Sequence, residues 1–213
     1  CVEVCPVYSQ NKELEATMGG VYTNLKSVIK KTYGLPGMLL GSKYDQESLK
    51  EYSDHPYLCT LCGRCALECP AFIDTKQVRT ALRGFMVEKG NYPQSMDQLA
   101  ETLKKVHNII GEPSEDRAAW VGALAKVPKD MFQKEKAKVL YFVGCVASFF
   151  PLVQKIPQAF VQILDKGEVD FTTLGGEEWC CGFPLIQMGM PEKMQKLVEH
   201  NQEKVQQLGA ETV

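Results

Sequence analysis

The 213-residue chain has no surplus of positive charge: 24 basic residues stand against 26 acidic ones, for a net charge of −2. Residues 1–90 and the remainder are each close to even, so binding of nucleic acid through a basic face is set aside. Long apolar runs are missing too. The longest, Val139 to Val153, is interrupted by Ser148 and Pro151 and falls short of the roughly 20 residues that cross a bilayer as a helix. It reads as a buried strand running into a loop and a helix, so no direct membrane span is expected. No signal-peptide pattern opens the chain. Neither a P-loop nor a G-x-G-x-x-G run is present, so the organic cofactor of any electron donor is expected on another subunit. Histidine is scarce, with three in all. His55 reads as an ordinary loop residue, and His107 and His200 as surface or satisfied core positions on helices.

Cysteine is what the chain does have. There are nine, an odd number, and six of them sit in two tight clusters. In a chain of this length that pattern points to metal ligation in a reducing compartment rather than to a disulfide framework. Position 1 is itself a motif cysteine with no Met before it. The final Gly209-Ala-Glu-Thr-Val213 reads as a helix stop followed by the first residues of a strand. Both observations lead us to expect a fragment cut at each end.

Three stretches differ in character. Residues 1–90 carry the two cysteine clusters. Within them Val21 to Tyr33 is a predicted helix stopped by Gly34 and Pro36. Asp74 is a predicted N-cap, with Val78, Leu82 and Phe85 at helical spacing and Gly90 past the end. Lys76, Arg79 and Arg83 lie off that stripe and are expected on a solvated face. Residues 91–137 form a helical connector. Leu99, Leu103, Val106 and Ile110 repeat at three and four up to Gly111. Ser114 is expected to cap a second helix through Trp120 and Leu124, and Lys134 to Lys138 form a charged linker. In residues 138–213, Val139 to Val143 and Val169 to Thr173 are predicted strands. Helices are predicted from Pro157 to Lys166 and after Pro191, the latter ending at Gly209. Strand, helix, strand, loop and helix together suggest an α/β layer with a parallel sheet.

The most specific run is Cys59-Thr-Leu-Cys62-Gly-Arg-Cys65-Ala-Leu-Glu-Cys69-Pro70. Its spacing is that of bacterial ferredoxins, in which the fourth cysteine serves the other of two clusters. Two-residue gaps let the backbone curl around one cubane and aim N–H groups at its sulfurs. Cys1-Val-Glu-Val-Cys5-Pro6 matches the end of a second such run. Crossing of the fourth ligands then gives one complete set, Cys5, Cys59, Cys62 and Cys65. Cys1 and Cys69 belong to a second set, whose other ligands would precede residue 1. Zinc is the competing occupant, but it needs only four thiolates and leaves the third two-residue step and the two Cys-Pro ends unexplained. A second signal is Cys145, then 34 intervening residues, then Cys180-Cys181-Gly182-Phe183-Pro184. If both parts lie at the C-terminal edge of the sheet, they meet where α/β folds place ligands. The alternative is a set of structural thiols.

A ferredoxin-type dicluster followed by Cys, a long gap and Cys-Cys-Gly resembles the CCG-domain iron–sulfur family, and the D component of heterodisulfide reductase in particular. It is also similar to the iron–sulfur subunits of a membrane sulfite-reduction complex, of glycolate oxidase and of anaerobic glycerol-3-phosphate dehydrogenase. The phrases from Tyr57 to Cys65 and from Glu178 to Pro184 carry the resemblance. It implies a mixed fold: a mainly helical ferredoxin-type [4Fe–4S] dicluster domain followed by part of an α/β CCG domain. It implies [4Fe–4S] ligation by Cys1, Cys5, Cys59, Cys62, Cys65 and Cys69. Cys145, Cys180 and Cys181 become partial ligands of a special, non-cubane [4Fe–4S] catalytic centre, completed by a C-x-x-C further on. The implied activity is oxidoreductase chemistry in anaerobic metabolism, with electrons passing from the cubanes to the CCG centre and on to a disulfide. The alternatives are a relay for a flavin-linked dehydrogenase and a zinc scaffold. The implied partners are other subunits of a redox complex, such as a membrane haem b subunit or a flavoprotein. The implied location is cytoplasmic, held at the inner face of the membrane through a partner.

Overall fold

The computed structural model describes residues 1–34, 49–50, 52–132 and 134–213. The expected Pro36 helix stop lies outside them. The chain divides into two compact units, Cys1–Met96 with Pro184–Pro191, and Asp97–Phe183 with Glu192–Val213.

The first unit is helical. The chain enters through α1 (Pro6–Asn11) and α2 (Met18–Tyr33). Thr17 caps α2 by accepting a hydrogen bond from Gly20 N, and Gly34 receives the chain at its C-terminal end, as the sequence predicts. A single short helix, α3 (Arg64–Leu67), lies inside the cysteine run. α4 (Thr75–Glu88) follows, with the Asp74 carboxylate accepting from Gln77 N and Gly90 past its end at φ 73°. Ala16, Met18, Val21, Leu49, Leu61 and Met86, with Leu185, Met188 and Met190 from the 184–191 segment, are among the buried apolar residues of this unit.

Two of the three basic residues of α4 are not on a solvated face. Lys76 is exposed, but Arg79 and Arg83 are buried, at 1% and 5% exposure. The reason is that their guanidinium groups reach backbone carbonyls of segments packed against that side of α4. Arg79 donates to the carbonyls of His55 (3.1 Å) and Ala16 (2.9 Å). Arg83 donates to the carbonyls of Pro56, Cys59 and Gln187. The last of these contacts holds the 184–191 segment against α4. Gly189 makes the same approach possible: at φ 83°, an added Cβ would lie 2.6 Å from Gly84 N and 2.8 Å from Arg83 O.

The second unit opens on α5 (Ser95–Val106), which begins two residues before it. The helix ends at Val106, four residues before the predicted end. His107 turns into left-handed backbone at φ 59°. Asn108, fully buried, then accepts from Ile110 N and Gly111 N and donates to the carbonyls of Val106 and Glu112. A side chain that satisfies this many backbone groups favours the turn over another helical turn. Ser114 opens a 3-10 helix, Ser114–Ala123, rather than capping an α-helix. Its hydroxyl donates back to Val106 O.

β1 (Val139–Leu140) and β2 (Phe171–Thr172) pair in parallel, Val139 with Phe171 and Leu140 with Thr172. Thr212 bridges to Val139 from the other side, also in parallel. α6 (Gly144–Phe149) and α7 (Lys155–Lys166) make the crossover. α8 (Phe183–Met188) and α9 (Gln195–Leu208) complete the order, with Gly209 ending α9 at φ 58°. Trp120, Met131, Val161 and Phe171 form the core between sheet and helices. Both strands are shorter than predicted. β1 stops early because Val143 N and Gly144 N turn to a side-chain carboxylate, that of Glu178. Beyond Thr172 the next amide, Thr173 N, donates to Met131 O.

Candidate functional site

Four of the predicted ligands meet in the first unit. Cys5, at the start of α1, lines one small cavity together with Cys59, Cys62 and Cys65, and with Ala16, Met18, Thr75 and Arg79. The loop that presents three of them is tightly curled, with Leu61 at φ 55° and Gly63 at φ 78°. Positive φ is uncommon for leucine, and here it points Leu61 N at Cys59 Sγ, 3.3 Å away. Cys65 Sγ lies 2.8 Å from Thr75 Oγ1 at the start of α4. Cys1 is exposed and Cys69 half-buried, and neither is among the residues lining this cavity. Tyr22 is near enough to Cys69 and Cys65 that their charges, behind its own burial, push its hydroxyl pKa upward.

Arg79 faces the same cavity. Burial pulls its pKa down, and the charges of Cys59, Cys65 and Cys5 oppose that pull. Its Nε is buried, with no hydrogen-bond partner among the described residues.

The other three cysteines meet in the second unit, at the ends of the strands. Cys145, in the first turn of α6, and Cys180 are buried, at 8% and 1% exposure; Cys181 is exposed. Their thiols form a row, with Cys180 hydrogen-bonded to Cys145 on one side and to Cys181 on the other. Among the described residues, no three His, Cys, Asp or Glu side chains are arranged as the ligands of a single metal ion. The two outer thiols are biased toward thiolate by their bonds to Cys180, and Cys145 further by Arg117. Cys180 is biased the other way by the same two bonds. Backbone N–H groups of Ile109, Gly182 and Phe183 also point at these sulfurs. Gly182 sits at φ 81°, and a Cβ there would lie 2.9 Å from Met194 Cβ.

A buried ion pair outside the cysteine motifs holds this row in place. Arg117 and Glu178 are each 1% exposed and 2.9 Å apart. Glu178 also accepts from Val143 N and Gly144 N, both at 2.8 Å. It thereby joins the loop after β1 to the loop carrying Cys180. Burial raises its carboxyl to about 6, against the pull of Arg117 and the two N–H donors. Arg117 in turn donates to Cys145 Sγ at 3.4 Å. Next to the pair, Trp179 is stacked between His107 (3.4 Å between centroids) and His200 (3.8 Å). His107 O accepts from Cys180 N at 2.8 Å, and Asn201 holds Trp179 by its N–H and carbonyl. Glu178 and Trp179 stand directly before Cys180, a proximity that marks them as candidates. Arg117, 61 residues from its partner, leaves no such mark.

No helix among the described residues is long and apolar enough to cross a membrane.

Comparison with known proteins places the two regions. Residues 1–73 match the family described as 4Fe-4S dicluster domain, and residues 139–213 the family described as Cysteine-rich domain, CCG. Over its whole length the chain is 33% identical to the D component of the dihydromethanophenazine:CoB–CoM heterodisulfide reductase of Methanosarcina barkeri, covering 52% of that protein. It is 32% identical to the same component from Methanosarcina mazei, again covering 52%. To the EtfAB:quinone oxidoreductase of Syntrophomonas wolfei it is 24% identical over its whole length and 33% of that protein. The chain thus spans about half the length of the Methanosarcina proteins it matches. No solved structure matches it.

Proposed function

Because the chain belongs to the CCG-domain iron–sulfur family, with a 4Fe-4S dicluster domain ahead of a cysteine-rich domain, we propose that it is the electron-transfer part of a heterodisulfide reductase-like oxidoreductase. In this reading it accepts electrons at the dicluster region and delivers them at the cysteine-rich region to a substrate disulfide. The observation that carries the reading is the meeting of Cys5 with Cys59, Cys62 and Cys65 around one cavity, where spacing alone would pair them. The residues there fit a [4Fe–4S] group: four thiols, a backbone N–H aimed at a sulfur, and a buried cation with an orphaned nitrogen. Cys5, Cys59, Cys62 and Cys65 would hold one cubane, and Cys69 with Cys1 would contribute to a second. Cys145, Cys180 and Cys181 would contribute to the disulfide-cleaving centre, with Arg117 and Glu178 keeping the row in position.

Such groups carry single electrons at potentials tuned by hydrogen bonds and charge. Donors near about −400 mV against a disulfide near about −200 mV leave roughly 9 kcal/mol for two electrons. Cys181 is the exposed member of its row and the one a substrate sulfur can reach. Subunits of a redox complex are the proposed partners, a membrane haem b protein or a flavoprotein among them, with the chain at the cytoplasmic face. The similarity to the EtfAB:quinone oxidoreductase favours a second reading, in which the same groups relay electrons for a flavin-linked dehydrogenase.

The test uses two serine variants of protein prepared without oxygen. Cys5→Ser is expected to abolish the paramagnetic resonance signal of the cluster held with Cys59, Cys62 and Cys65. Cys69→Ser leaves that signal intact. Loss of the same signal in both variants contradicts the crossed ligation.

A further inference from the structure

We propose that Arg79 is the fixed charge partner of the cluster held by Cys5, Cys59, Cys62 and Cys65, and that it raises the reduction potential of that cluster. The inference rests on the reading that those four thiolates hold a [4Fe–4S] group.

Arg79 is buried and lines the same cavity as the four cysteines. Two of its nitrogens donate to carbonyl oxygens, those of His55 and Ala16. The third, Nε, has no hydrogen-bond partner among the described residues. Among the described residues no carboxylate pairs with it. A guanidinium removed from water and facing only neutral oxygens is strongly unfavourable unless a negative charge lies close. The negative groups that act on it are Cys59, Cys65 and Cys5, in that order.

The other buried arginines are employed differently. Arg83, one turn further along α4, spends all three nitrogens on the carbonyls of Pro56, Gln187 and Cys59. Its side chain is absent from the lining of the cavity, and its arrangement is that of a clamp. Arg117 has Glu178 as a counter-ion. Among the described residues Arg79 differs from Arg117 in having no carboxylate counter-ion, and from Arg83 in lining the cavity of the four cysteines and in keeping one nitrogen without an acceptor.

Four thiolates around a [4Fe–4S] group carry net negative charge, and one-electron reduction adds another unit to the same spot. A nearby fixed cation therefore stabilises the reduced form more than the oxidised one. The low polarity around a buried residue strengthens that difference.

The experiment is a redox titration followed by electron paramagnetic resonance, on anaerobically prepared protein with measured iron. Arg79→Gln removes the charge and leaves a shorter, neutral amide donor in its place. It is expected to move the midpoint to more negative potential by about 59 mV or more, a tenfold change in the one-electron equilibrium. Arg79→Lys keeps the charge and is expected to stay nearer the parent midpoint. Equal shifts in both variants, or an unmoved midpoint in Arg79→Gln at full iron content, overturn the proposal and leave the cluster assignment standing. Absence of iron from the parent protein overturns the cluster assignment and the proposal with it.

Discussion

Replacing Glu178 with alanine is expected to lower the stability of the second unit by about 3–5 kcal/mol, since it strands the buried charge of Arg117. That is a large share of the roughly 5–15 kcal/mol by which domains are ordinarily stable. Three groups lose their acceptor together: the Arg117 guanidinium and the amides of Val143 and Gly144. The loops carrying Cys145 and Cys180 then lose their common anchor. Both tryptophans of the chain, Trp120 and Trp179, lie in this unit, so denaturation followed by their fluorescence reports on it directly. Arg117→Met combined with Glu178→Leu is expected to recover only part of the loss. The stranded charge is gone, but Val143 N and Gly144 N still lack an acceptor, and Cys145 has lost its donor. A single Glu178→Ala change costing under about 0.5 kcal/mol, the range of ordinary surface changes, would show that the pair does not hold the two loops together.

In the full-length protein, which supplies the completing C-x-x-C, Cys181→Ser is expected to remove one redox centre completely while leaving the cubane signals unchanged. Its effect on folding separates this from a structural role. Cys181 is exposed, so as a mere surface thiol its replacement would change stability by no more than about 0.5 kcal/mol and leave the iron count alone. As a ligand it would take iron and a resonance signal with it. Cys145 and Cys180 are less clean probes because they are buried, and either change would add packing losses of about 1–3 kcal/mol. Unchanged iron and unchanged signals in Cys181→Ser would return the whole row to a structural part.

What the sequence makes legible depends on how far each residue reaches. The cysteine spacings are local signals, and the grouping of Cys5 with Cys59, Cys62 and Cys65 follows from them through the ferredoxin pattern. Helix ends governed by one capping residue are legible as well: Asp74, Gly90 and Gly209 stand where their chemistry places them. The parallel pairing of β1 and β2, with Thr212 beside them, agrees with the predicted strand, helix and strand order. Structure and expectation part where a side chain reaches across the fold. Arg79 and Arg83 sit off the apolar stripe of α4 and resemble a solvated face, yet their acceptors come from residues 16, 55, 56, 59 and 187. No window around α4 contains that information. The same holds for Arg117, and for the early end of α5, which Asn108 enforces through four backbone contacts. His107 and His200 carry no pattern in sequence because the ring they enclose, Trp179, lies 72 and 21 residues from them.

The central claim is that the cysteine cavity of the first unit holds a [4Fe–4S] group, and metal analysis of protein prepared and reconstituted without oxygen tests it most directly. The account predicts brown protein with at least four irons per chain and, after reduction, a resonance signal that disappears in Cys5→Ser. Stoichiometric zinc with no iron, under the same conditions, would contradict it.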